Sequence, residues 1–191
     1  MRTHSWSGGV PGARVARGRL RHCPPHATFT DADCAVGFEH PTSWRVQLDD
    51  GPYALPCTFV LRPLDYEALL IDQDSVDVFS VRVTVVAEPF DIAAPDHGFA
   101  RREGAWVVLG RQGIAAPAAA LERPGWTGVR GARGAGCYRI GGAYVGMCEA
   151  RATALGRGDR SVLLEGSLLS EDVFELVAAT VDWYAPGPSR H

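Results

Sequence analysis

Apolar residues recur at every second position in four separate stretches of this chain, and that period of two is the signature of strands with one buried face. Trp44, Val46 and Leu48 alternate with Arg45 and Gln47, and Phe59 and Leu61 repeat the pattern. Val81, Val83 and Val85 alternate with Arg82 and Thr84, and Val162 and Leu164 with Leu163 and Glu165. Trp106-Val107-Val108-Leu109 is a short apolar run, as in a more buried strand. Gly141-Gly142 stands between Cys137-Tyr138-Arg139-Ile140 and Ala143-Tyr144-Val145-Gly146-Met147-Cys148. Two glycines tolerate the positive φ of a two-residue turn, so this stretch predicts a hairpin with Cys137 opposite Gly146.

Helical spacing is concentrated near the C-terminus. Phe174, Val177, Ala178 and Val181 recur on one face, Glu171 and Asp172 suit the positive end of the dipole, and Ser170 can cap. Leu64–Ile71, opened by Pro63, is a second candidate helix, and the Ala-rich stretch after Pro117 reads as helix or strand. Runs of strands with few helices predict an α+β fold: an antiparallel β-sheet flanked by helices, with a C-terminal amphipathic helix. At about 150 residues per domain, the expectation is one α+β domain over 29–184. Residues 1–28 form a flexible Arg/Gly/Pro-rich N-terminal extension too polar to bury a core, and 185–191 form a tail.

The 191 residues include no lysine and no asparagine, so all 19 of the Lys+Arg count are arginine. That excludes a P-loop lysine, a Schiff-base lysine, a Ser-Lys dyad and an Asn orienting a catalytic imidazole. Both residues have AA-initial codons, so a GC-rich genome accounts for the pattern. The net charge of −3 hides segregation. Residues 1–30 carry five arginines and no acid; 31–100, thirteen acids and three arginines; 101–160, ten arginines and four acids; 161–191, five acids and one arginine. Such blocks either give a two-sided surface potential that steers a charged partner, or interleave in three dimensions and cancel. No aromatic-interleaved basic run accompanies the arginines, so no nucleic-acid partner is expected.

The composition, 46% hydrophobic and 21% charged, suits a globular core, and no stretch approaches the roughly 18 apolar residues of a membrane span. No apolar segment follows the N-terminal arginines, so the sequence as written reads as cytoplasmic, with the envelope or periplasm as the alternative if the start codon is misassigned.

Gly37-Phe38-Glu39-His40-Pro41-Thr42-Ser43-Trp44-Arg45-Val46, followed by Cys57-Thr58-Phe59-Val60-Leu61-Arg62-Pro63, resembles the opening F-x-x-P-x-x-W-x-V hairpin of the PsbP-like superfamily. The Gly-rich middle, the strand ending near Glu165 and the closing helix are similar too, over about residues 29–184. The chain is identified as a bacterial member. The resemblance implies an α/β/α sandwich and a binding or accessory role, as in extrinsic photosystem II proteins, a Ran-binding import factor and bacterial envelope proteins. In physical terms Phe38 and Trp44 are expected as core anchors on successive strands, with Pro41 fixing the turn.

Cys23, Cys34, Cys57, Cys137 and Cys148 show neither C-x-x-C nor a zinc spacing, and their odd number leaves one unpaired in any compartment. They read as buried free thiols, with Cys34–Cys57 and Cys137–Cys148 as alternative bridges; the second lies one diagonal step apart, about 7–8 Å. His97, after Asp96 in the loop Ala94-Pro95-Asp96-His97-Gly98, is the histidine best placed for catalysis, with Cys57 or Cys148 as nucleophile. There is no G-x-S-x-G, no H-E-x-x-H and no complete G-x-G-x-x-G, so neither a cofactor nor a metal is expected. The acids Asp65, Glu67, Asp72, Asp74 and Asp77 match no EF-hand spacing and read as a solvated face.

Two functions follow. One is a noncatalytic binding or accessory protein acting on a protein partner, envelope-associated or of immunity type, with Asp72, Asp74, Asp77, Arg101, Arg102 and Arg130 as contact residues. The alternative is a small hydrolase or transferase built on Asp96, His97 and a cysteine.

Overall fold

The computed structural model describes residues 25–52, 54–67, 80–110, 113–138, 144–167 and 170–184, less the side chains of Cys137, Tyr138, Val145 and Ser167. Among the described residues, twelve strands and two full helices run in the order β1 (His26–Asp31), β2 (Val36–Pro41), β3 (Trp44–Leu48), β4 (Thr58–Pro63), β5 (Val81–Val86), α1 (Phe90–Asp96), β6 (Phe99–Arg102), β7 (Ala105–Leu109), β8 (Ala115–Ala120), β9 (Thr127–Tyr138), β10 (Tyr144–Arg157), β11 (Arg160–Ser167), α2 (Glu171–Thr180) and β12 (Asp182–Trp183).

Nine of the strands form one antiparallel sheet in the order β3-β4-β5-β11-β10-β9-β8-β7-β6. It is two meanders, β3 to β5 and β6 to β11, joined where β11 pairs β5. The remaining sheet is β1-β2-β12. Within the opening motif the hairpin is therefore β3 with β4, whereas β2 turns at Thr42-Ser43 and leaves β3 for another sheet.

Alternation sorts the side chains onto two faces. Val81, Val83, Val85, Phe59, Leu61, Val162, Leu164 and Leu155 meet Val36 and Phe38 of β2 and Val173, Phe174 and Val177 of α2. On the other face Leu163, Ala152, Ala154, Val129 and Val108 meet Phe90, Ala93 and Ala94 of α1. Burying Phe38, Phe59 and Phe174 contributes about 2–3 kcal/mol each. Of the two expected anchors, Phe38 is fully buried, while Trp44 is half-buried against the same core.

Two expectations need correction. The segment before His97 is helix rather than loop: Phe90, Ala93 and Ala94 make its apolar face, Pro89 supplies the extended N-cap, and Gly98, at φ 84, ends it. Proline at 95 misleads: it removes one donor, yet the helix still closes through the His97 amide on the Ala93 carbonyl at 3.1 Å. Ser170 occupies the N-cap of α2, yet its hydroxyl donates to the Ser80 carbonyl (3.2 Å) instead of capping. The Ala-rich stretch resolves as strand β8, paired on both edges.

The Gly141-Gly142 turn lies outside the described residues; beside it Cys137 stands opposite Gly146 as expected, but the nearest described pair, Tyr138 with Tyr144, departs from the register of a two-residue turn. A register shift between Tyr144 and Gly146 precedes that pair. Leu64 and Asp65 form a turn and Tyr66 and Glu67 are helical, while 68–71 fall outside the described residues, as do Asp72, Asp74 and Asp77.

Candidate functional site

A cleft of about 980 Å³ opens where the β3–β4 connection, the end of β5 and the C-terminus of α1 converge. Thr58 and Thr84, hydroxyl to hydroxyl at 3.2 Å, and Leu163 are buried in its lining, and Leu55, 56% exposed, projects at its rim. His97 lines it too, half-buried, because Gly98 and the helix end turn the ring back over β11.

The His97 ring is held, not free. Its Nε2 donates to the Leu164 carbonyl at 3.3 Å, which assigns the neutral ring's proton to Nε2. Arg133, from β9, donates to the His97 carbonyl at 3.1 Å and to Glu165 Oε1 at 2.6 Å. Gly98 permits this approach, since a Cβ there would stand 2.9 Å from the Arg133 guanidinium. Burial lowers the His97 pKa from its usual 6.5, with Arg133 acting in the same direction and Glu165 and the Leu164 carbonyl opposing. Asp96 is exposed at the cleft edge and forms no ion pair among the described residues.

No Cys or Ser reaches the His97 ring among the described hydrogen bonds. The sulfur in the cleft is not a thiol: Cys34 and Cys57 are bridged, with Cα atoms 5.6 Å apart. Cys148 is also disulfide-bonded. The free-thiol reading is thereby overturned at these three positions. The two bridged residues belong to loops, the turn after β1 and the approach to β4, which the sheets bring together although they lie 23 residues apart.

The charge blocks interleave in part. Arg130 pairs with Glu175, Arg133 with Glu165, Arg151 with Glu171 and Glu175, and Arg157 with Asp182, so much of the basic 101–160 block is matched by the acids after it. In the 31–100 block Asp49 meets Arg82 at 3.2 Å, and Arg45 meets Glu67 at 3.0 Å. Around the cleft Asp33, Glu88 and Asp96 are exposed and unpaired among the described residues. Arg101 and Arg102 lie on the edge strand β6, exposed, with Arg101 4.6 Å above the Trp106 ring. Arg130 is half-buried on the other side of the sheet, against α2. The structure thus does not gather Arg101, Arg102 and Arg130 into one patch.

A second hollow, about 860 Å³, lies between Trp106 and Trp126. Trp126 is clamped by Arg123 at 4.8 Å and Arg157 at 4.6 Å, and packs on Trp183, over which Arg160 stacks at 4.4 Å. Cation–π stacking of this kind fastens β12 to the ends of β9 to β11. Among the described residues no His, Cys, Asp and Glu cluster of three could hold a metal, and no helix is long and apolar enough to cross a membrane.

Sequence reasoning singled out His97 and Asp96 but missed Arg133, Glu165, Asp33 and Glu88. Glu165 carried a signal, a charge on an otherwise apolar strand, whereas Arg133 stood in a Gly-Ala run without periodicity.

No protein-family model matches the sequence, and no curated protein is similar to it. Among solved structures, that of cyanobacterial PsbP (CyanoP) from Synechocystis is similar at 14% identity and a TM-score of 0.46, over 94% of this chain and 98% of that one. A crystal structure from Bacteroides thetaiotaomicron is similar at 11% identity and a TM-score of 0.39, over 84% of this chain and 49% of that one. The α+β antiparallel architecture rests on the sheets and helices themselves.

Proposed function

We propose that the protein is a noncatalytic binding protein that docks a positively charged, partly apolar segment of a protein partner in the cleft beside His97. One observation carries this reading: each of the cleft's reactive groups is held by a partner, while its edge acids are not. His97 is held by a carbonyl, Glu165 by Arg133, and Cys57 by Cys34, whereas Asp33, Glu88 and Asp96 face solvent around Leu55. The hydrolase or transferase alternative has His97 in a cleft but no nucleophile for it to activate among the described residues.

The disulfides suit an oxidising compartment, such as the envelope or periplasm. Outside the cleft, Arg101 and Arg102 on the edge strand β6 are proposed contacts for acidic groups elsewhere on the partner, and Asp72, Asp74 and Asp77, between β4 and β5 in the sequence, for basic ones. Reversal at Arg130 would first break its pair with Glu175, so stability and binding must be read together there.

The test is titration of the protein with an arginine-rich peptide carrying one leucine, against an aspartate-rich peptide of the same length, followed by fluorescence anisotropy. The basic peptide binds and weakens with salt. Exposed pairs contribute about 0.5 kcal/mol each, so reversing Asp33, Glu88 and Asp96 to arginine together lowers affinity roughly tenfold. Equal binding of both peptides, or an unchanged triple variant, refutes the reading.

A further inference from the structure

The Cys34–Cys57 bond ties two segments of unequal strength. On one side, the Cys34 amide donates to Asp31 Oδ1 at 2.7 Å, the Cys34 carbonyl accepts from Arg160, and the Ala35 carbonyl accepts from the Tyr184 amide at 2.9 Å. On the other, the bonds described for Gly51 to Pro56 stay within the loop: Ala54 N to Gly51 O at 3.0 Å, and Gly51 N to Asp49 Oδ1 at 3.1 Å. That loop supplies Gly51, Pro52, Ala54, Leu55 and Pro56 to the cleft wall. Its return to the sheet is fixed by the Val85 amide on the Cys57 carbonyl (3.0 Å) and by the disulfide. Cys57 itself holds φ 58, and Ala35, beside Cys34, holds φ 46. L side chains occupy this left-handed region only while their surroundings enforce it.

We propose that the Cys34–Cys57 disulfide is a reducible latch: a dithiol reductant that breaks it frees the cleft wall formed by Gly51, Pro52, Ala54, Leu55 and Pro56, while both sheets stay folded. The two cysteines line the cleft, and Cys57 is the less buried of them, so it is the one a thiolate entering the cleft would attack. Attack at Cys57 Sγ forms a mixed disulfide and expels Cys34 as a thiolate, which takes up a proton. The second thiol of the reductant then displaces Cys57, leaving the reductant as its disulfide; two electrons and two protons reach the protein. With the bond gone Cys57 relaxes from its positive φ, whereas Cys34 stays anchored by Asp31 and Arg160. The loss of a bound segment on opening rests on the docking reading above; the opening of the loop does not.

The experiment is amide hydrogen exchange on the folded full-length chain with and without dithiothreitol, with mass mapping of each cysteine. Reduction is expected to speed exchange in that cleft wall roughly tenfold while Val81–Val86 and Arg160–Ser167 keep their protection. The variant Cys34→Ala/Cys57→Ala should show the same pattern without reagent, which separates this bond from the one at Cys148. A bond that resists reduction in the folded protein, unchanged loop exchange, exchange that rises equally in β5 and β11, or a double variant that does not fold each overturns the latch. If the loop opens and the basic peptide still binds as before, the latch stands and the docking reading falls.

Discussion

Replacing Arg133 by methionine keeps the side-chain length, removes the guanidinium fork and strips two groups of their partner at once. The bond to Glu165 is charge-assisted, about 1.5–3 kcal/mol, and the bond to the His97 carbonyl contributes about 1 kcal/mol. The Arg133 and Glu165 side chains are 19% and 30% exposed, so solvent screening trims the first figure. A net loss of about 2 kcal/mol is expected, roughly a thirtyfold fall in the folding constant. The same change moves the His97 pKa upward, because a positive neighbour that lowers it has gone while the Glu165 charge that raises it remains. Urea unfolding measures the first effect, and an NMR titration of the imidazole the second. Glu165→Gln completes a double-mutant cycle, in which Arg133 and Glu165 should couple by at least about 1 kcal/mol. Additive losses, or a His97 pKa that falls in Arg133→Met, would refute the account of the cluster.

Two shorter predictions concern stability. The fold disfavours the His97 cation, so the unfolded chain takes up that proton first; the ring's contribution is whole above 6.5 and is lost as pH falls below it. Tm should therefore decline on acidification from about pH 7.5 to 5.5, and less steeply in His97→Gln; parallel curves would count against it. Gly156→Ala puts a Cβ 2.5 Å from Phe90 Cβ and 3.1 Å from its Cα, so α1 must shift, at a cost of about 1–3 kcal/mol. An unchanged urea midpoint would contradict the packing of α1 on β10.

Where a strand buries one face against side chains, as at Val81, Val83 and Val85, the sequence announces it. Strand β9 is silent up to Gly136, before the hairpin arm at Cys137, because its pattern is written in absences. Gly128 and Gly131 leave room for Leu155 and Val108, whose methyl groups would lie 2.8 and 2.9 Å from a Cβ there. Helix α1 hid behind Pro95, since seven residues give too short a window for periodicity to outweigh a proline. The site was legible as the neighbours Asp96 and His97 and, as one of two alternative bridges, in the Cys34–Cys57 pair. Arg133 and Glu165 reach them through the pairing of β9, β10 and β11, and the cleft disulfide needs two loops whose meeting only the sheets determine.

The small sheet also imposes an order on synthesis. Val36 and Phe38 of β2 are covered by α2 and, at one edge, by β12, which supplies the last described strand of the chain. A ribosome delivers β1 and β2 first and their cover last, with every strand of the large sheet in between. Until residues 171–183 emerge, that hairpin presents an apolar face and an open edge to whatever is near, the condition in which nascent chains need a chaperone. A polypeptide stalled before Glu171 should therefore be far more prone to aggregate than one released a few residues beyond Trp183.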